Sequence, residues 1–322
     1  MLVESVPNVS EGRRLDVVDR LVAAIESVPG VYLLDRTSDP SHNRSVFTLA
    51  GEHEAVADAL ERLVAVAIHD IDMDVHEGEH PRIGAVDVIP FVPLGSTTID
   101  DCVELARAFG ARVATRFDLP VYLYARAATR GDREKLADVR RGQYEGLKVE
   151  IAQRGREPDF GPARLHPSAG AVAVGARPFL IAYNINLASD DVDLAKRIAR
   201  RVRESGGGLP RLQANGFEVR EPERGHPRRA QVSMNLLDFA VTPLWLVWDT
   251  VRELAAEDGV DLAESELIGL APLAAFLAVA DHAGSPVDDP VDRRLAAAAA
   301  YLRLRDFSPS QALELRLEAA RA

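Results

Sequence analysis

Two histidines four residues apart, His76 and His80, enclose Glu77-Gly78-Glu79 and spell the pattern HExxH. On a helix, that spacing puts both imidazoles on one face to hold zinc, while the glutamate activates water. The residues between them argue against a helix. Gly78 costs a helix about 1 kcal/mol against alanine, and Pro81 biases His80 away from helical geometry. The segment therefore reads as a loop, and no metal is expected there. His80 then sits in Gly78-Glu79-His80-Pro81-Arg82, where the proline stiffens the chain. An imidazole that titrates near neutrality can take and give a proton, so His80 is a candidate acid/base. A surface histidine without a role is the competing reading. Cys102, the single cysteine, lies in an expected helix and reads as core filler.

The elements that must position these residues follow from periodicity. Leu2 to Val6 is a strand ending at Pro7-Asn8. Ser10 or Glu11 can then cap a helix whose apolar face is Val17, Val18, Leu21, Val22 and Ile25. Val31 to Leu34 and Ser45 to Leu49 read as strands joined by a loop over residues 35–44, which are rich in turn formers. Helices are expected over 54–68, 99–116 and 133–151, the last broken near Gly142. Ala85 to Val92 and Leu119 to Tyr124 are expected strands. Residues 158–170, PDFGPARLHPSAG, form a loop by every local rule. Further on, a strand over 179–183 leads into a turn at Asn184 and Asn186, then a helix over 190–204. Strands follow over 211–219 and 230–237. A helix starts at Thr242-Pro243, and a last strand covers 267–270. Strands alternating with helices give an α/β class. The opening of the second half repeats the strand–turn–helix order of the first, which suggests two similar halves.

Composition narrows the function. A net charge of −12 argues against a nucleic-acid or membrane-surface binder, which needs a basic face. Only Lys135, Lys148 and Lys196 among the 38 basic residues are lysines. Arginine suits bidentate carboxylate binding, though GC-rich coding also explains the bias. One cysteine and a start without a signal peptide fit a cytoplasmic protein. No GxGxxG or GxxxxGK[ST] occurs, which disfavours dinucleotide and P-loop sites.

Six collinear segments carry a resemblance: MLVESVPNVSEGRR, LLDRTSDPSHNRSVFTLAG, IDMDVHEGEHPRIGAVDVIPFVPL, LPVYLYARAA, PDFGPARLHPSAGAVAVGARPFLIAYNINL and QVSMNLLDF. Together they resemble the glutamate formimidoyltransferases and the N-terminal part of formimidoyltransferase-cyclodeaminases. The resemblance implies two similar α/β subdomains, each a mixed sheet with helices packed on it, and a substrate tunnel between them. It implies an N-terminal subdomain over 1–176 and a C-terminal one over 177–283; the tail over 284–322 lies outside the resemblance and reads from its own residues as a helical extension. The reaction implied moves a formimino group from N-formimino-L-glutamate to N-5 of tetrahydrofolate, with tetrahydrofolate as co-substrate. The family's catalytic histidine falls on His80. Its folate-binding segment falls on Gly161, Pro162, Ala163, Arg164, Leu165, His166, Pro167, Ser168, Ala169 and Gly170. Glu77 stands where related sequences often carry a basic residue. A homodimer is implied, and since the cyclodeaminase part has no counterpart here, a separate cyclodeaminase partner.

Both implied substrates carry carboxylates, so an acidic protein must gather arginines locally. Arg44 and Arg82 are candidates, with ordinary salt bridges as the alternative. Asp39, with Asn43 in the same loop, could meet the donor's amidinium or orient His80, or else cap a turn. Asn184 and Asn186 either contact substrate or satisfy turn backbone. Donors other than formiminoglutamate, a zinc hydrolase and a non-catalytic folate-binding module are the rival readings.

Overall fold

Pro7 shapes the first sheet, because it has no N–H to offer a neighbouring strand. On either side of it, β1 (Leu2–Ser5) and β2 (Asn8–Val9) both pair antiparallel with β4 (Arg44–Glu52) and with β5 (Val86–Pro93). β3 (Val31–Asp39) pairs with β4 on the outer side. β7 (Val172–Ala176) runs parallel to β5, and β6 (Val121–Ala125) parallel to β7. This computed structural model describes residues 1–221 and 225–322, and the chain divides into two compact units, 1–178 and 179–322.

In the first unit, strand residues alternate between two cores, as the period of two demands. Ile89, Phe91, Val121, Leu123, Val172 and Val174 face one core with α1 (Leu15–Glu26), α2 (His53–Asp70) and α3 (Ile99–Phe117). Val88, Tyr122, Tyr124 and Ala173 face the other, with Val139, Leu147 and Ile151. Burial of both faces explains why β5 is apolar at every position but Asp87. Each large aliphatic side chain so buried stabilises by roughly 1.5–3 kcal/mol. Thr98 and Asp101 form a reciprocal capping box at the start of α3. Cys102 is buried in that helix, and burial pushes its thiol up to about 12.

Four expectations change here. The 35–44 segment is mostly strand, since Arg36, Thr37 and Ser38 pair with Phe47, Val46 and Ser45, leaving a turn over 40–43. Ladder pairing outweighs the local turn preferences of these residues. The expected helix over 133–151 is instead a 3₁₀ turn at Gly131–Arg133, α4 (Leu136–Val139) and α5 (Gln143–Glu150), interrupted where Gly142 takes φ +78°. In the second unit, Asn184 and Asn186 lie inside β8 (Ile181–Leu187), not in a turn after it, and the last strand is β11 (Leu262–Ile268).

The second unit's sheet runs β11, β8, β10 (His226–Leu236), β9 (Leu212–Glu221) and is antiparallel throughout; the first unit's sheet is mixed. Ile181, Tyr183, Ile185 and Leu187 are buried on one face, on the side of α6 (Val192–Val202) and α7 (Leu244–Ala256). α8 (Leu273–His282), α9 (Val291–Tyr301) and α10 (Leu313–Arg321) follow. The C-terminal stretch is tied to this unit by backbone pairing of Ser265 with Leu304 and of Ala271 with Ala312.

Candidate functional site

The loop between α2 and β5 carries His80. It is held from three sides, so a segment without secondary structure has a fixed course. Asn43, at φ +48°, accepts from the Gly12 N–H at 2.9 Å and donates to the Glu77 carbonyl at 2.9 Å. Gly78 lies against the hairpin turn so closely that a Cβ there would stand 2.3 Å from the His42 carbonyl oxygen. Farther along, the Ala85 N–H donates to the Ala169 carbonyl at 2.8 Å, and the Ala171 N–H to the Ile83 carbonyl at 3.0 Å. Gly84 meets the same stretch, where a Cβ would come 1.9 Å from the Ala171 carbonyl oxygen. On the third side, the Tyr144 N–H donates to the Arg82 carbonyl at 2.8 Å.

Residues 76–80 form no helix, and their two histidines have separate partners. His76 donates from Nε2 to the Asn43 carbonyl at 3.1 Å and accepts at Nδ1 from Arg82 Nε at 3.3 Å. Arg44 Nη1 meets His80 Nε2 at 2.6 Å. A guanidinium can only donate, so His80 accepts at Nε2 and its proton sits on Nδ1. Burial holds the half-buried His80 far below the ordinary 6.5, at about 3, with the positive charges of Arg44 and Arg140 and the His42 ring adding to it. At neutral pH the ring is uncharged, and its one free lone pair is engaged by Arg44.

Arg44 itself has no carboxylate in ion-pair contact among the described residues, and its buried Nε has no partner. Burial, and then the charge of Arg140, lowers its pKa. Arg82 differs. It is 7% exposed and donates to both oxygens of Glu145, to Gln143 Oε1 and to the His76 carbonyl. Arg140 is paired with Asp87, which also accepts from the Ile83 N–H at 2.9 Å. Asp39 caps the turn, accepting from the Ser41 and His42 N–H groups and contacting His42 Nδ1 at 2.6 Å. The His42 backbone bond is the main cause of its lowered pKa.

His80, Arg44, Asn43 and Arg82 thus line one small, half-open cavity with room for about one water, together with Ser10, His42, His76 and Asp87. Asp39 stands behind it through His42. Sequence reasoning missed Asp87 and Arg140, which lie 53 residues apart. No local pattern marks them, because only the fold brings them together.

The 161–170 segment runs from exposed to buried. Gly161 takes φ +85°, and Arg164 pairs with Asp118; both are exposed, with Pro162 half-buried and Ala163 exposed. Leu165 packs at the edge of both cores. His166 and Gly170 bond backbone to backbone across exposed Pro167, and His166 Nδ1 accepts from the Ser168 and Ala169 N–H groups. Ser168 also bonds back to α2, donating to the Ile68 carbonyl at 3.0 Å. The buried end, Ala169 and Gly170, is the part stitched to Ile83, Gly84 and Ala85, the residues that follow the His80 loop.

In the second unit, Asn184 and Asn186 point to the sheet face away from the apolar one. Asn184 donates to Glu266 at 2.9 Å. Asn186, fully buried, accepts from Gln231 at 2.9 Å and donates to Glu264 at 3.4 Å. Arg229 holds Glu264 at 2.6 Å, and Arg305 pairs with both Glu264 and Glu266.

Among the described residues, no group of three or more His, Cys, Asp or Glu is placed to hold a metal ion, and no helix is long and apolar enough to cross a membrane. The sequence model of the formiminotransferase domain, N-terminal subdomain, matches residues 2–177, and that of the formiminotransferase domain matches residues 182–286. The chain is 44% identical over 281 residues to the glutamate formimidoyltransferase of Streptococcus pyogenes, covering 87% of this chain and 92% of that protein. It is 43% identical to the glutamate formimidoyltransferase of Thermoplasma acidophilum over 321 residues, covering 99% and 98%. Against the formimidoyltransferase-cyclodeaminase of Rattus norvegicus it is 44% identical over 282 residues, which is 86% of this chain and 51% of that protein. The two α/β units and these matches define a transferase. The chain belongs to the formiminotransferase domain family.

Proposed function

We propose that this chain transfers the formimino group of N-formimino-L-glutamate to N-5 of tetrahydrofolate, giving 5-formimidoyltetrahydrofolate and L-glutamate, as a step of histidine degradation in the cytoplasm. The relatives' names support the group transferred and the amino acid, and family membership supports tetrahydrofolate as co-substrate. The observation that carries the chemistry is the neutral His80 imidazole set against Arg44, a cation with no ion-paired acid among the described residues.

N-5 of the folate attacks the amidine carbon, and a tetrahedral intermediate forms. His80 takes the proton released from N-5. As the carbon–nitrogen bond to glutamate breaks, His80 returns that proton to the departing nitrogen, so the ring ends as it began. Such catalysis contributes about 10²–10⁴-fold, and holding both substrates together contributes the rest through proximity. The proposal assigns folate to Gly161 through Gly170, whose backbone amides suit close approach. It keeps Asp39, Asn43, Arg82, Asn184 and Asn186 as substrate contacts of second rank, because each already has protein partners. No metal is required. The proposal retains subdomains over 1–176 and 177–283, a helical extension over 284–322, a homodimer and a separate cyclodeaminase that consumes the product.

A coupled assay with formiminoglutamate and tetrahydrofolate tests this, comparing the parent with His80→Ala and His80→Gln. The expected result is parent turnover, a kcat lower by about 10²–10⁴-fold in both variants, and unchanged folate affinity. An inactive parent, or a His80→Gln variant within about tenfold of it, would overturn the assignment.

A further inference from the structure

Among the described residues, Arg44 has one polar side-chain partner, His80, whereas Arg82 and Arg140 each pair with an acid. Its guanidinium has five donors in a planar fork suited to a carboxylate. One donor is given to His80 Nε2, and the buried Nε has no acceptor. The free arrangement is therefore incomplete at the cation and blocked at the base: the lone pair that would accept a proton is occupied by Arg44.

Resting on the transfer reaction proposed above, we infer that Arg44 is the receptor for the α-carboxylate of the formimino donor, and that seating this carboxylate frees His80 Nε2 for proton transfer. The choice of carboxylate follows from the covalent structure of the donor. Its α-carboxyl carbon is two bonds from the nitrogen that His80 must protonate, whereas the γ-carboxylate and the folate tail are much farther from the reacting atoms. An arginine touching the base can reach only the near one. The incoming anion also reverses the electrostatics, since it neutralises the charge beside the ring and removes the hydrogen bond that stabilises its neutral form. The other charged groups facing His80 are fixed in pairs or on the same loop: Arg140 with Asp87, Arg82 with Glu145, His42 with Asp39, and His76 with Asn43. Arg44 is the member left to respond. The base would thus become effective only when the donor is in place.

The test is the titration of His80 in the whole protein, followed by NMR of ¹³C-labelled histidine and assigned with His80→Gln. The free protein should show His80 uncharged from pH 5.5 upward. Saturating L-glutamate should raise its midpoint by at least about one pH unit, tenfold in proton affinity. In contrast, 4-aminobutyrate, which lacks only the α-carboxylate, should leave it in place. Arg44→Gln should raise the midpoint without ligand, abolish the response to glutamate, and raise KM for formiminoglutamate about 100-fold with KM for tetrahydrofolate nearly unchanged. A His80 signal indifferent to L-glutamate in the parent, or equally sensitive to 4-aminobutyrate, overturns the inference even if Arg44→Gln fails to fold. That failure is separable from failure of the proposed reaction. His80→Gln would then still be inactive, whereas an active His80→Gln would overturn the reaction's acid/base assignment itself.

Discussion

The polar corner around His80 and the polar sheet face around Asn186 use the same residue types to opposite ends. On the sheet face, Glu264 and Glu266 are matched by Arg229 and Arg305, and the amides of Asn184, Asn186 and Gln231 fill the remaining positions. At the corner, Arg44 bonds to His80 and, among the described residues, to no carboxylate; Asp87 and Asp39 act on its charge only from a distance. Buried polar groups are ordinarily paired because leaving one unpaired is costly. The first region obeys that rule internally and therefore looks built for stability. The second leaves a cation to be completed from outside, which is what a ligand site requires.

Four changes would break or sharpen this contrast. Glu266→Ala should have the largest effect on stability, because it removes the shorter of the two ion pairs of Arg305, leaving Glu264, and takes an acceptor from both Asn184 and Gln231. We expect a loss of about 3–4 kcal/mol, read from urea unfolding. A loss below about 1 kcal/mol would mean that the sheet face is not the closed network described. Gly78→Ala should cost about 2 kcal/mol, since its Cβ collides with the His42 carbonyl and pushes the His80 loop off the hairpin turn. Its transfer activity should fall further than that destabilisation explains, as a comparison of rates well below the unfolding temperature would reveal.

Acid should separate the regions next. His80 titrates lower in the folded protein, about 3, than its ordinary 6.5, so between these values the unfolded chain binds a proton that the folded chain does not. The stability from keeping it neutral is complete above pH 6.5 and is lost as pH falls toward 3. Between pH 7 and 5 the parent should lose about 1 kcal/mol more than His80→Gln, allowing for solvent screening of a half-buried group. Equal slopes in the two proteins would remove the electrostatic part of the argument. The smallest effect is expected of Arg44→Met. With no acid partner to strand, its unfolding free energy should stay within about 1 kcal/mol of the parent, while donor turnover collapses. Destabilisation as large as that of Glu266→Ala would make Arg44 a structural residue.

The helices were legible because their signals are local. The faces of α1, α2 and α3 follow from apolar spacing, and the glycine and proline around His80 forbid a helix there. The inner part of the β3–β4 hairpin, residues 35–39, was misread as loop because its residues are individually turn formers, and the pairing that makes them strand comes from partners five to thirteen residues away. Asn184 and Asn186 were misplaced for the same reason: a strand in the middle of a sheet tolerates polar residues when neighbouring strands supply partners.

Residue order alone determined the α/β class, the family motifs, and a histidine held in a proline-stiffened loop, since each depends on neighbours along the chain. Tertiary structure decided the protonation of that histidine. Its burial and the arrival of Arg44, 36 residues away in sequence, set which nitrogen holds the proton and how weakly the ring binds another. Desolvation and charge act through space, so only the folded chain fixes them.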